Sequence, residues 1–197
     1  MKNKTLLSGL VVISLSGCAL TTESVDIKYI SQSNIVSIPD AKQVTINVRV
    51  HDIRLDKSKI SSKKNGYGME TAPILANDKV EVTVTHAIEK ELISRGFRLS
   101  SNAQVHINAD ISQFYADHKM GFLSGDTIAD FDMITVVQTN TGQQVYSKRI
   151  KVQGIEKDIQ LMDGENAALA LNLALKSGIK MLFDDSRFIA SLMLKEI

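Results

Sequence analysis

The side chains able to do chemistry are few and scattered. Cys18 is the only cysteine in the 197 residues, so its thiol has no partner in the chain for a disulfide. His51, His86, His106 and His118 are the four histidines. None pair at i+2, i+3 or i+4 and none joins the cysteine, so no zinc spacing exists. Asp126, Asp130 and Asp132 could offer oxygens to calcium. They lack the glycine and the closing glutamate of an EF-hand loop, and read better as a solvated strand face. Serines are plentiful, but no G-x-S-x-G elbow holds one. Gly66-Tyr67-Gly68 lacks the later glycine and lysine of a phosphate loop. The residues give no catalytic constellation, no metal site and no cofactor motif.

What remains is Cys18 in its local context. Lys2 and Lys4 make a positive start, Leu6 to Leu15 a short apolar run, and Ser16-Gly17 a pair of small residues before the cysteine. A charged start, a short apolar core and a small-residue junction make a secretory signal peptide, residues 1–17. The run falls short of the roughly 20 residues that a spanning helix needs. Leu15-Ser16-Gly17-Cys18 resembles the lipobox of bacterial lipoproteins. That resemblance implies a diacylglyceryl thioether on Cys18, cleavage before it, and acylation of the new amine. The alternative is an ordinary signal peptide with an incidental cysteine. An unpaired thiol would be a liability in an oxidising compartment. Three acyl chains would hold where one holds only marginally. Ala19 follows the cysteine where aspartate would signal retention, so the resemblance implies export to the outer membrane.

The elements downstream divide into a tether and a domain. The chain carries a formal net charge of +1, and loss of Lys2 and Lys4 leaves the mature chain near −1. With no basic stripe, nucleic acid has no electrostatic foothold. Tryptophan is absent, which removes the usual stacking platform for sugars. Residues 18–42 read as a lipidated cysteine and a flexible polar tether closed by Pro39, able to reach at most about 80 Å. Ile35, Val36 and Ile38 leave an edge strand over 34–38 open.

A single α+β domain is expected over 43–197. Val44, Ile46, Val48 and Val50 alternate as a half-buried strand, and residues 54–73 read as a loop. Val80, Val82 and Val84 alternate like a strand, yet Val80, Val84, Ile88 and Leu92 share a helical face. The spacing favours a helix from Asp78 to Arg95, capped by Asn77 and closed by Gly96. Val105, Ile107, Ala109 and Ile111 face one way along the next strand. Phe114 breaks that register, which predicts a bulge near Gln113. A hairpin turning at Ser124-Gly125-Asp126 and a second turn at Thr139–Gly142 follow. Asp163 then caps a helix to Phe183, with Ala168, Leu171, Leu175, Ile179 and Leu182 on one face and Leu169 and Leu173 on a second. A last helix spans 187–195. The order predicts a two-layer sandwich, an antiparallel meander sheet with helices packed on one face.

The last helix is apolar almost all round. Phe188, Ile189, Leu192 and Met193 are expected to form a docking face, either on the domain's own second helix or on a partner or lipid. Ser94-Arg95-Gly96-Phe97, Ser112-Gln113-Phe114-Tyr115-Ala116-Asp117 and Ala129-Asp130 are similar to the corresponding pieces of YajG-type lipoproteins of proteobacteria. The similarity runs from Val44 to Phe188. It implies an outer-membrane lipoprotein with its domain in the periplasm, no cofactor, and lipidated Cys18 as the residue carried over. The element order also resembles small accessory lipoproteins of lipid-transport systems. The expected function is a non-catalytic binding or accessory module for an envelope lipid or protein. The alternative is a structural subunit of an envelope assembly.

Overall fold

The computed structural model describes residues 20–33, 35–121 and 124–193. The α+β expectation holds, with eleven regular elements besides a 3₁₀ turn at Ala41–Gln43 among the described residues. In chain order they are β1 (Glu23–Val25), β2 (Thr45–Asp52), β3 (Ser61–Lys64), β4 (Glu70–Ala76), α1 (Val80–Ser94) and β5 (Arg98–Leu99). Then come β6 (Val105–Met120), β7 (Gly125–Thr139), β8 (Gln144–Ile159), α2 (Gly164–Phe183) and α3 (Ser186–Leu192). The main sheet has the order β5-β2-β6-β7-β8, with α1 and α2 contributing to one core with its inner face.

The sheet is mixed, which corrects the all-antiparallel meander. β6, β7 and β8 form the meander, but β2 runs parallel to both β5 and β6. The reason lies in the connection. A helix stands between β2 and β6, and a crossover of that kind returns the chain in the same direction. The predicted loop over 54–73 is also corrected. It contains β3 and most of β4, an antiparallel hairpin that with β1 makes a second, three-stranded sheet. Ile60, Ala72 and Ile74 are its buried apolar positions, too few and too interrupted by lysine and serine to show as alternation.

The tether expectation changes most. Glu23–Val25 pairs parallel with β4, and Val25, Ile27, Tyr29 and Ile38 pack against the core. The apolar residues that punctuate the polar stretch are therefore contact residues. Ile38 donates its N–H to the Arg95 carbonyl at 3.0 Å, without an edge strand at 35–38. Folded structure thus starts well before residue 43.

Helix α1 starts at Val80, and no side chain caps it. Asn77 is engaged elsewhere: its amide donates to Asp26 Oδ1 at 2.6 Å and its N–H to the Val25 carbonyl at 2.9 Å. Gly96 closes the helix with φ +96°, a conformation that glycine adopts without strain. Asp163 caps α2 by accepting from Asn166 N at 3.1 Å. The buried face of α2 runs through Ala167, Ala170 and Ala174 rather than Ala168, while Leu169 and Leu173 stay partly in solvent.

The bulge in β6 falls as the pattern required. Ile111 pairs with Met133 and Gln113 with Asp132, leaving Ser112 as the extra residue. The shift keeps Phe114 and Ala116 on the buried side, where Phe114 meets Phe131 edge-on at 5.6 Å. Arg54 fastens the end of β2 there. It binds both carboxylate oxygens of Asp52, at 2.9 Å and 2.8 Å, and donates to the Phe114 carbonyl at 3.0 Å. β6 and β7 pair up to Met120 and Gly125, so the reversal comes slightly earlier than expected.

Candidate functional site

Cys18 and the signal peptide lie outside the described residues, as do Leu194 and Lys195 at the end of the expected last helix. The geometry near Cys18 is nevertheless defined. Leu20 is described and exposed, and β1 begins at Glu23. Cys18 is two residue steps from Leu20, a reach of about 7 Å at full extension. Glu23 is fixed by the fold. Its carboxylate accepts from Gly164 N at 3.1 Å, at the start of α2, and pairs with Lys63 at 3.1 Å. The segment entering β1 is therefore held on two sides.

Three chain reversals gather at this end. Asn65 closes the β3–β4 turn, accepting from Tyr67 N and Met69 N at 3.0 Å. Lys64 pairs with Asp117 and donates to the His118 carbonyl at 3.3 Å, which sets that turn beside the last residues of β6. Gly125 pairs with Met120 on one side and Ile159 on the other, bringing the end of β8 and the loop to Asp163 into the same group. Because β1 is parallel to β4, the chain before Glu23 runs back toward this end.

The sequence-predicted chemistry does not assemble. His118 is buried, with Nδ1 at 2.8 Å from Thr127 Oγ1 and Nε2 at 3.5 Å from Ser61 Oγ. Burial pushes its pKa below the ordinary 6.5. A hydroxyl rather than a carboxylate faces Nδ1, and both Ser61 and Thr127 are fully buried. This contact has neither the acid that orients a catalytic histidine nor access to a substrate. Asp130 accepts from Gln153 at 2.8 Å, and Asp132 receives two bonds from Arg149, at 2.8 Å and 2.6 Å. Those bonds hold Asp132 below the usual carboxylate range. No group of acids, histidines or cysteines suited to a metal occurs among the described residues.

The last helix takes the first of its two alternatives and packs within the domain. Phe188 and Leu192 are fully buried, and Ile189 and Met193 pack against the same core. Phe188 sits 5.4 Å from the Tyr146 ring and 5.3 Å from that of Phe183. Asp185 caps α3, accepting from Arg187 N at 3.0 Å and Lys148 Nζ at 2.9 Å. Phe188 and Leu192 are therefore interior, whereas Ile189 and Met193 are only partly buried.

Sequence reasoning missed Glu91. It is fully buried in α1, where it pairs with Arg95 and accepts from Tyr29 Oη at 2.7 Å and Gln32 N at 3.2 Å. Arg95 lies 4.5 Å above the Phe183 ring. Burial first, then the bond to Glu91, push the Tyr29 phenol far above its ordinary range. The signal was an acid four residues before an arginine on the apolar side of a helix. Two open clefts flank α1, of about 410 Å³ and 450 Å³, and both mix acids, lysines and apolar atoms.

Residues 32–193 match a family described as "Uncharacterized lipoprotein". The "Uncharacterized lipoprotein YajG" of Escherichia coli strain K12 is 20% identical over 190 residues, covering 94% of each chain. The protein of that name from strain CFT073 matches equally. Among solved structures, XCC0632 from Xanthomonas campestris, a DUF330 protein, superposes with a TM-score of 0.57 at 12% identity. The match covers 82% of this chain and 91% of that one, and the likeness is one of fold. No helix among the described residues is long and apolar enough to cross a membrane.

Proposed function

We propose that this chain, which belongs to the uncharacterized lipoprotein family, is a triacylated lipoprotein of the outer membrane whose domain works in the periplasm. Its role there is a non-catalytic one, binding or assisting an envelope lipid or another envelope protein. The observation that carries the reading is Leu15-Ser16-Gly17-Cys18 with Ala19 behind it, placed just ahead of the fold. A thiol alkylated at that point and an acylated amine beside it give a lasting anchor. The role as a binding module rests on the sealed Ser61–His118 contact and on the mixed character of the clefts.

Separating the two membranes of cells that make this protein on a density gradient tests the address. The wild-type chain is expected with the outer membrane, and Ala19→Asp with the inner. A wild-type chain that sediments with the inner membrane, or with neither, contradicts the reading. Crosslinking in intact cells followed by purification then separates the classes of role. A lipid adduct or substoichiometric protein favours the accessory module, and a stoichiometric complex favours a structural subunit.

A further inference from the structure

The gathered turns that surround the entry of the chain carry exposed apolar side chains. Tyr67 is 92% exposed, Leu161 66%, Met69 59% and Met120 55%. They come from three separate places: the β3–β4 turn, the last residue of β6 and the loop from β8 to α2. Leu20, 69% exposed, adds the chain itself. Nothing among the described residues covers them. An apolar side chain on one turn is ordinary, but such residues at three places around one point are a surface.

The chain outside the domain says what covers that surface. Of the stretch read from sequence as a long tether, Glu23–Val25 is a strand, and Ile27, Tyr29 and Ile38 pack against the core. From Cys18 to Glu23 there are five residues, at most about 18 Å of extended chain. Because β1 runs parallel to β4, that stretch leaves toward the turns and not toward the far end of the sheet. A domain whose long strand β6 has 16 residues, about 50 Å from end to end, cannot turn its far end to a bilayer on so short a leash without carrying the anchor along its flank.

We propose that the end bearing Tyr67, Met69, Met120 and Leu161 rests on the lipid surface, with these side chains in the boundary between headgroups and acyl chains. The occupant of this face is the membrane that holds the Cys18 lipid. β6 then stands away from the membrane, and the β7–β8 turn and β5 point into the periplasm. The domain is seated on the bilayer, not held at a distance from it. This inference rests on the anchor reading given above.

The chain has no tryptophan, so single tryptophans report position. Tyr67→Trp and Leu161→Trp place one at the proposed face, and Leu99→Trp places one on β5 at the far end. Each full-length variant is purified from membranes, its intact mass checked for acyl chains, and reconstituted in phosphatidylethanolamine–phosphatidylglycerol vesicles containing brominated lipid. Quenching at 67 and 161 is expected to exceed that at 99 by roughly threefold or more, with a blue-shifted emission. An acylated, vesicle-bound protein in which 67 and 161 are quenched no more than 99 overturns the seated geometry and leaves the anchor standing. That outcome would give the face to a protein partner. A mass without acyl chains removes the anchor reading, and the seated geometry with it.

Discussion

Gly154→Ala is expected to lower the melting temperature of the domain by about 6–12 °C, the equivalent of about 3 kcal/mol for a chain of this size. Gly154 lies in the middle of β8, a position where glycine ordinarily weakens a strand. Its place in the register explains it. Ala116 on β6 pairs with Ala129 on β7, and Ala129 with Gly154 on β8. This row of small residues crosses three strands beneath α2, which presents Ala167, Ala170 and Ala174. A Cβ on Gly154 would collide with the Ala170 carbonyl oxygen and the Ala174 nitrogen, and would lie 2.9 Å from Leu173 Cβ. Two of these are backbone atoms and cannot swing aside, so the helix must lift. The next row is filled the opposite way: Phe131 on the sheet meets Gly178 on the helix, where an added Cβ would stand 2.6 Å from the ring. Gly66→Ala is the control. Nothing lies within 4 Å of that position and its φ is not positive, so a change within about 0.5 kcal/mol is expected. Thermal melts of both variants, made without residues 1–18, check the pair. Equal melting temperatures would mean that α2 does not sit this close to the sheet.

Glu91→Ala is expected to cost about 3–5 kcal/mol, because removing one partner strands the other charge in the interior. Arg95 would keep its stacking on Phe183 but lose its counter-charge, with its side chain only 10% exposed. Tyr29 Oη and Gln32 N would lose their acceptor. The effect therefore has two parts that can be measured separately. The melting temperature falls by about 10 °C, and the segment 26–33, which Glu91 ties down, becomes open to trypsin at Lys28 before the rest of the domain is cut. Glu91→Gln keeps an acceptor and should recover part of the protease resistance. Trypsin cleavage no faster in Glu91→Ala than in the wild type would show that other contacts hold the segment.

These two residues mark the limits of what the sequence discloses. Features written in adjacent residues were legible: Asp163 as a cap, Gly96 closing α1 with φ +96°, the turn at Thr139–Gly142, and the bulge forced by Phe114. Features that depend on register were not. Gly154 has meaning only once Ala129 and Ala116 are known to stand beside it. The parallel pairing of β2 with β6 was signalled by the helix between them, a cue outweighed by the antiparallel look of the strands that follow. The polar stretch from Thr21 to Ser37 looked like a linker because its apolar residues are isolated. Each of Val25, Ile27 and Tyr29 finds its partner in an element far along the chain, and no local pattern announces that. The same holds for the exposed turn residues. Tyr67 was legible as part of a Gly-Tyr-Gly loop, but that its turn lies at the same end of the domain as the ends of β6 and β8 follows from the topology.

For Phe188, Ile189, Leu192 and Met193 the structure takes the first of the two alternatives, packing within the domain. A helix without a polar face must be covered on more than one side. The pattern does not say whether the cover is the chain's own. Here Tyr146, Phe183 and the Asp185 cap supply it. The contact surface proposed above accordingly lies at the turns around the entry of the chain and not on the last helix.

Anchoring depends on the covalent state of Cys18, and the intact mass of the protein extracted from membranes tests it most directly. The predicted result is a chain that begins at Cys18 and carries a diacylglyceryl group together with one amide-linked acyl chain, all lost in Cys18→Ala. A mature chain that begins at another residue, or one that begins at Cys18 with an unmodified thiol and amine, would contradict it.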